Sequence, residues 1–339
     1  MNILICSHSF SPNVGGLETV GKLLAAEFQK AGHEVRVCTR TPPGSQADDL
    51  GLVVARNPSK AEFREQADWA EIVLQNNISL PWAIPLIRWR VPWVCGNHDW
   101  PRSDRGKLDL RGHLKLRIAQ LASAQTAVSR ALAGQLRGKP IIVGNPYDDT
   151  FFRVLPDAQR DRDLFFLGRL FDGKGVDTLL RAVKALKAER PSITLTIVGR
   201  GPEAEELKAL TAQLGLEENV TFRGALFGGE LIQEMNRHTL CVVPSRLRES
   251  FGIVALEAMA CGMVAIGSDL GGVPEAIGEG GPVFPVDDVS ALTGIIRELL
   301  DSTAALDSQR ERQKRHLAQF TAAKIAANYL EIFRKVLER

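Results

Sequence analysis

Two stretches of the chain set charged residues among glycines in patterns that chemistry can use. In Phe166-Leu167-Gly168-Arg169-Leu170-Phe171-Asp172-Gly173-Lys174-Gly175, Arg169 and Lys174 stand five apart among three glycines. An apolar run ends just before them, so both cations fall on the loop after a strand, where doubly wound sheets bind ligands. Glycines let a backbone come close to a ligand, and two cations so placed neutralise a diphosphate. The same residues also read as two solvated cations beside a turn. The second stretch is Pro244-Ser245-Arg246-Leu247-Arg248-Glu249-Ser250-Phe251-Gly252-Ile253-Val254-Ala255-Leu256-Glu257-Ala258-Met259. A strand again ends in a loop, and a helix starts near Ser250 to Gly252. Ser250, Phe251, Gly252 and Ile253 then offer the free N–H groups and positive dipole end that attract phosphate. Glu249, just before this helix, can accept hydrogen bonds from sugar hydroxyls, or serve only as a partner of the helix dipole. Glu257 sits in an apolar run, where a carboxylate is costly unless paired or hydrogen-bonded. A polyol such as a ribose would satisfy it; the other reading makes Glu257 a surface acid.

Such loops need strands to hold them. Residues 2–6 form a short apolar run, followed by a loop with Pro12 and Gly15-Gly16. Leu17, Val20, Leu24 and Phe28 then recur at helical spacing, and Gly32 stops the helix. Further strands are expected at 34–39, 71–74, 93–96, 126–129 and 141–144. A second series follows a polar, Pro-containing stretch at 148–163, with strands at 164–167, 195–198, 220–223, 240–243 and 264–267. Alternating strands and helices imply parallel sheets covered by helices. The expected fold class is α/β: two Rossmann-like doubly wound domains with a central cleft. The last helix, about 321–337, carries Ile325, Tyr329, Ile332, Phe333 and Val336 on one face.

The 339 residues agree with two domains, since single cores rarely grow beyond about 250–300 residues. No apolar run approaches the roughly 20 residues that span a bilayer, and the N-terminus reads as a strand, not a signal peptide. Five scattered cysteines without CxxC spacing read as buried free thiols of a reducing, cytoplasmic compartment. Residues 1–146 hold 18 Lys and Arg against 12 Asp and Glu, net +6, which leaves −4 for the rest of a chain of net +2. A basic front half points to an acidic ligand or anionic surface near it. Neither an Asp-x-Asp pair nor a His/Cys ligand cluster is evident, so no metal is expected.

Arg169, Lys174, Glu249 and Glu257, in this order and with seven residues between the two acids, resemble the retaining nucleotide-sugar glycosyltransferases of glycosyltransferase family 4. Ser11-Pro12-Asn13-Val14-Gly15-Gly16-Leu17-Glu18 looks like that family's N-terminal glycine loop. Asn97-His98-Asp99 looks like its active-site histidine segment, and Asn145-Pro146 resembles its usual Asn-Gly with Pro in place of Gly. The resemblance covers nearly the whole chain. It implies the GT-B fold, with residues 1–147 and about 319–339 as the acceptor domain and 160–318 as the nucleotide-sugar domain. The last helix would cross back to the first domain. It also implies transfer of a hexose-type sugar from a UDP- or GDP-linked donor to a glycan, lipid-linked or small-molecule hydroxyl. Configuration would be retained, with no metal, no separate cofactor and no nucleic-acid partner. Arg169 and Lys174 would bind the donor diphosphate, Glu249 the sugar hydroxyls and Glu257 the ribose. Gly15 and Gly16 would approach the phosphate and sugar, His98 the sugar near its reacting carbon. Backbone groups near Arg223 and Gly224 would meet the base.

Other readings compete. Val198-Gly199-Arg200-Gly201-Pro202-Glu203-Ala204 fits G-x-G-x-x-G/A, the mark of a dinucleotide-binding oxidoreductase. Against it, the motif follows the second strand of its domain, Pro202 removes an N–H, and Glu203, Glu205 and Glu206 would crowd a pyrophosphate. A non-catalytic nucleotide-sugar binder and a GT-B epimerase or phosphorylase are further alternatives. Trp82, Trp89, Trp93 and Trp100 cluster beside a basic stretch, residues 88–117, with eight Lys and Arg against three Asp and Glu. This pattern fits either ordinary packing or peripheral contact with an anionic membrane.

Overall fold

The computed structural model describes residues 1–13, 15–43, 51–101 and 108–339. Val14 of the glycine loop and residues 102–107 of the basic stretch lie outside these. The chain forms two compact units: Met1–Pro146 with Thr321–Arg339, and Tyr147–Phe320.

Unit 1 runs β1 (Asn2–Ser7), α1 (Gly16–Lys30), β2 (Glu34–Thr39), β3 (Val53–Arg56), α2 (Lys60–Trp69), β4 (Ile72–Asn76), α3 (Leu80–Trp89), β5 (Trp93–Asn97), α4 (Leu110–Ala119), β6 (Ala124–Ala127), α5 (Arg130–Ala133) and β7 (Ile141–Ile142). The strands form one parallel sheet in the order β3-β2-β1-β4-β5-β6-β7. Ile3, Leu4, Ile5 and Cys6 of β1 are fully buried. A central parallel strand has both faces covered, which is why it reads as a continuous apolar run. α2 starts at a capping box, with the Ser59 side chain accepting from Glu62 N–H and the Glu62 carboxylate accepting from Ser59 N–H.

Unit 2 runs β8 (Arg162–Leu167), a 3-10 turn (Asp172–Lys174), α6 (Val176–Lys187), β9 (Leu195–Val198), α7 (Ala204–Gln213), β10 (Val220–Gly224), α8 (Gly228–Asn236), β11 (His238–Val243), α9 (Ile253–Ala260), β12 (Val264–Ser268), α10 (Val273–Ile277), β13 (Val283–Phe284), α11 (Val289–Asp301) and α12 (Thr303–Leu317). Its parallel sheet has the order β10-β9-β8-β11-β12-β13. Leu164, Phe166, Leu195, Ile197, Leu240 and Val242 meet α6 and α11 in one apolar core. The expected strands are present, and β3 and β13 are two that the sequence pattern did not indicate. β7 is shorter than expected and both its residues are exposed.

The final helix, α13 (Ala322–Leu337), belongs to unit 1 and packs on α1. Phe333 is buried with its ring 5.6 Å from Phe28 and 6.1 Å from Tyr329. The Tyr329 hydroxyl lies 3.0 Å from Thr126 Oγ1 on β6. All five cysteines are free and buried. Trp82 and Trp93 are core residues, Trp82 edge-on to Phe63 at 4.7 Å.

Replacing Phe333 by Ala removes a fully buried ring and should destabilise unit 1 by about 3–5 kcal/mol. All five tryptophans lie in unit 1, so their fluorescence in a urea titration reads that unit selectively. A Phe333→Ala midpoint equal to wild type would show that α13 is not needed to hold the first sheet.

Candidate functional site

In unit 2 the strand order reverses direction between β8 and β11. At such a switch point the loops after two neighbouring strands diverge and leave a crevice. Arg169 and Lys174 are on the loop after β8, and Glu249 is on the loop after β11. Lys174 Nζ lies 2.8 Å from Glu249 Oε1, with both side chains about one-fifth exposed. The Ser245 hydroxyl donates to the same carboxylate oxygen. The Ser268 hydroxyl in turn donates to Ser245 O at 2.7 Å, linking β12 to the assembly.

Backbone contacts weld the two loops. Gly173 O accepts from the N–H groups of Arg246 at 2.9 Å and Leu247 at 3.1 Å. The Arg246 guanidinium reaches Asp172 at 2.8 Å, Asp177 at 2.7 Å and Asp287 at 2.5 Å. Asp177, then Asp287, push its pKa above the ordinary arginine value. A third loop, after β12, closes against the second: Gly272 N–H donates to Glu249 O at 2.8 Å. An added Cβ would stand 2.6 Å from Glu249 O at Gly271 and 2.3 Å from Ser250 O at Gly272, so neither position admits a side chain. Sequence reasoning missed Ser245, Arg246, Ser268, Gly271 and Gly272.

Arg169 differs from Lys174. It is exposed, its guanidinium 5.8 Å from the Phe171 ring centroid, and it pairs with no carboxylate among the described residues. It is an open cation beside a neutralised one. α9 begins at Ile253 after Gly252, as the sequence indicated. Phe251 is buried with its ring 5.4 Å from Phe320, so its backbone, not its ring, is what a ligand could meet. Ser250 is partly buried. The Glu257 carboxylate makes no hydrogen bond to another described residue. Its deep setting, then Asp148, raise its pKa to about 7. A partly buried carboxyl in this setting is one that a ligand hydroxyl would satisfy.

Arg223 and Gly224 end β10. Arg223 Nε is 3.5 Å from the buried Glu234, and Gly224 O accepts from Gly199 N–H at 2.8 Å. The G-x-G-x-x-A loop has a structural use. An added Cβ would stand 1.8 Å from Gly168 O at Gly199 and 2.0 Å from Leu170 O at Gly201. The glycines let this loop lie against the Arg169 loop, and they face neighbouring backbone where a dinucleotide would need open space.

Unit 1 holds the remaining candidates. Gly15 caps α1, which begins at Gly16. The Glu18 carboxylate folds back over Gly15, 2.5 Å from where a Cβ would be. Asp99 feels this charge: burial and Glu18 raise its pKa while Lys115 lowers it. Two acids make the surroundings of the glycine pair better suited to sugar hydroxyls than to phosphate. His98 follows β5, and its Nδ1 lies 2.9 Å from Asn145 Oδ1. Burial lowers its pKa to about 4. The remaining histidines bear on structure where their contacts are seen; His238 Nδ1 lies 2.8 Å from Glu234 O, and His316 Nε2 lies 2.8 Å from Ala276 O.

At the opposite end of β5, a crevice of about 250 Å³ is lined by Leu86, Ile87, Arg90, Val91, Pro92, Trp93, Leu121 and Ser123. Nearby, α4 exposes Leu110, at 90 %, and Leu114, with Leu121 just beyond its end. Arg111 and Arg117 are exposed on the same helix, and α3 exposes Ile84 and Arg88. The exposed apolar residues here are thus Ile84 and three leucines, while Trp82 and Trp93 are buried. No helix among the described residues is long and apolar enough to cross a membrane.

Comparison with known proteins agrees with this architecture. Residues 148–316 match the family described as Glycosyl transferases group 1, and residues 14–143 match Glycosyltransferase Family 4. The chain is 37 % identical over 345 residues to the GDP-mannose-dependent alpha-(1-6)-phosphatidylinositol monomannoside mannosyltransferase of Mycolicibacterium smegmatis, covering 88 % of this chain and 89 % of that protein. It is 33 % identical over 182 residues to the D-inositol 3-phosphate glycosyltransferase of Jonesia denitrificans, covering 51 % of this chain and 42 % of that protein. In fold it is similar to Anabaena HepE in complex with UDP-glucose, with a TM-score of 0.81 at 22 % identity over 99 % of this chain and 100 % of that one. It is also similar to the sucrose-phosphate synthase of Thermosynechococcus elongatus, with a TM-score of 0.80 at 21 % identity over 99 % of each chain. The chain belongs to glycosyltransferase family 4: it is a retaining GT-B glycosyltransferase that takes its sugar from a nucleotide-sugar donor.

Proposed function

We propose that the chain transfers a hexose, with GDP-mannose as donor, to a hydroxyl of a lipid-borne polyol at an anionic membrane. The observation that carries the donor half is the pairing of Lys174 with Glu249 beside an unpaired Arg169. Glycosyl transfer passes through an oxocarbenium-like state while negative charge grows on the departing diphosphate. Preorganised cations act where that charge develops. Arg169 and Lys174 take the diphosphate, Glu249 the sugar hydroxyls and Glu257 the ribose. The N–H groups of Ser250, Phe251, Gly252 and Ile253 face phosphate, and backbone near Arg223 and Gly224 takes the base. Gly15, Gly16 and His98 act on the sugar. Departing phosphate that accepts the acceptor's proton on the same face accounts for retention without a protein nucleophile. The choice of GDP-mannose, and of a polyol lipid, rests on the relative matched along most of both chains.

The membrane half is supported by the α3 and α4 face. Exposed leucines between arginines bury apolar area in a lipid interface while the cations meet anionic headgroups, each worth about 1 kcal/mol near the surface. Under this reading unit 1 receives the acceptor and unit 2 the nucleotide sugar.

Incubation of the protein with phosphatidylinositol-containing vesicles and GDP-mannose should release GDP and yield a mannosylated lipid, with UDP-glucose much slower. Arg169→Ala and Lys174→Ala should each lower kcat by about 10²–10³. Turnover with UDP-glucose alone would discard the assigned donor, and full activity in both variants would discard the cation roles. In a sedimentation assay, binding to anionic vesicles should fall with added salt and drop further in Leu110→Ser/Leu114→Ser. Equal binding to neutral vesicles, or none to either, would contradict the membrane role.

A further inference from the structure

His98 is 7 % exposed and lies over β5, where a Cβ on Gly96 would be only 3.1 Å from its Nε2. Its one hydrogen bond joins Nδ1 to Asn145 Oδ1 at 2.9 Å. An amide oxygen can only accept, so Nδ1 carries the proton and Nε2 keeps its lone pair. Nε2 has no partner among the described residues although it is buried. Close by, the Tyr329 hydroxyl is also within 3.3 Å of the same Gly96 position, and it titrates only near pH 12. The acid adjacent in sequence, Asp99, is directed to Asn77, Oδ2 to Nδ2 at 3.4 Å.

Asn145 is itself buried, and it stands at a special place in the chain. Asn145 and Pro146 are the last residues of unit 1 before the chain enters unit 2 at Tyr147. Tyr147 N–H donates to Phe320 O at 3.2 Å, joining the outgoing crossing to the returning one. The hydrogen bond therefore ties the imidazole to the point where the chain leaves its unit.

We propose that Asn145 is a positioning residue that holds His98 as a neutral Nδ1–H imidazole, so that His98 meets the donor sugar as a hydrogen-bond acceptor at Nε2. The inference rests on the reading that His98 acts on that sugar. It accounts for an amide at position 145. A carboxylate there would keep the hydrogen bond but favour the imidazolium. A cation beside the reacting carbon would oppose the positive charge that develops on it, whereas a neutral acceptor does not. The lone Nε2 then waits for a sugar hydroxyl, whose arrival supplies the missing partner.

The full chain labelled with ¹⁵N-histidine, studied by long-range ¹H–¹⁵N NMR at pH 7, reads the tautomer directly; loss of one signal set in His98→Ala assigns it. Wild type should show His98 protonated at Nδ1 only. Asn145→Ala should shift it toward the Nε2–H form usual for free histidine, and Asn145→Asp should protonate both nitrogens. In the transfer assay, Asn145→Ala and Asn145→Asp should each lose about 10–10²-fold in kcat with little change in donor KM. An Nε2–H tautomer in wild type, or an unchanged tautomer in Asn145→Ala, overturns the proposal, as does an unchanged kcat in both variants. Absence of transfer by wild type would instead count against the donor and acceptor proposed above, and the NMR comparison would still decide whether Asn145 fixes the ring.

Discussion

The contact between Lys174 and Glu249 joins loops that the chain order keeps 75 residues apart. It brings together the cation suited to a diphosphate and the acid suited to a sugar. An ion pair in this half-buried setting contributes modestly to stability by itself, because both partners give up water to form it. Its consequence is positional. The pair holds because Gly173 O takes two N–H groups from the opposite loop and Arg246 gathers three aspartates across the same seam. Gly271 and Gly272 remove the side chains that would push the third loop off Glu249. The parallel sheet supplies the rest, since its switch point is where these loops can meet a ligand without breaking the ladder.

Unit 1 presents a different electrostatic character. Near its glycine pair, Glu18 and Asp99 are acidic, and His98 is neutral. α13 serves this arrangement from a distance, because Tyr329 and Phe333 brace the sheet behind β5 and β6.

Much of this was legible in the sequence, and the reasons for success and failure are physical. The buried parallel strands read clearly because both faces are apolar. β3 and β13 escaped because they are four and two residues long and lie at sheet edges, where little apolar pattern is required. Arg169, Lys174, Glu249 and Glu257 stood out by charge among glycines or apolar neighbours. Arg246 did not, since nothing in the spacing separates it from Arg248; only the fold surrounds the first with aspartates and leaves the second exposed. Gly271 and Gly272 were hidden because the backbone they make room for is more than twenty residues away. Of the two readings of the tryptophan cluster, ordinary packing holds for Trp82 and Trp93, which went to the core. The exposed Leu110, Leu114 and Leu121 were available at helical spacing and are the truer sign of an apolar face.

Lys174, paired with Glu249, is the cation assigned to the donor's diphosphate. Isothermal titration of GDP into wild type, Lys174→Ala and Glu249→Gln tests that assignment directly. Removing the carboxylate frees the lysine, so Glu249→Gln should bind GDP at least as tightly as wild type, whereas Lys174→Ala should bind markedly more weakly. Equal affinity in Lys174→Ala and wild type would contradict the assignment of the diphosphate to Lys174.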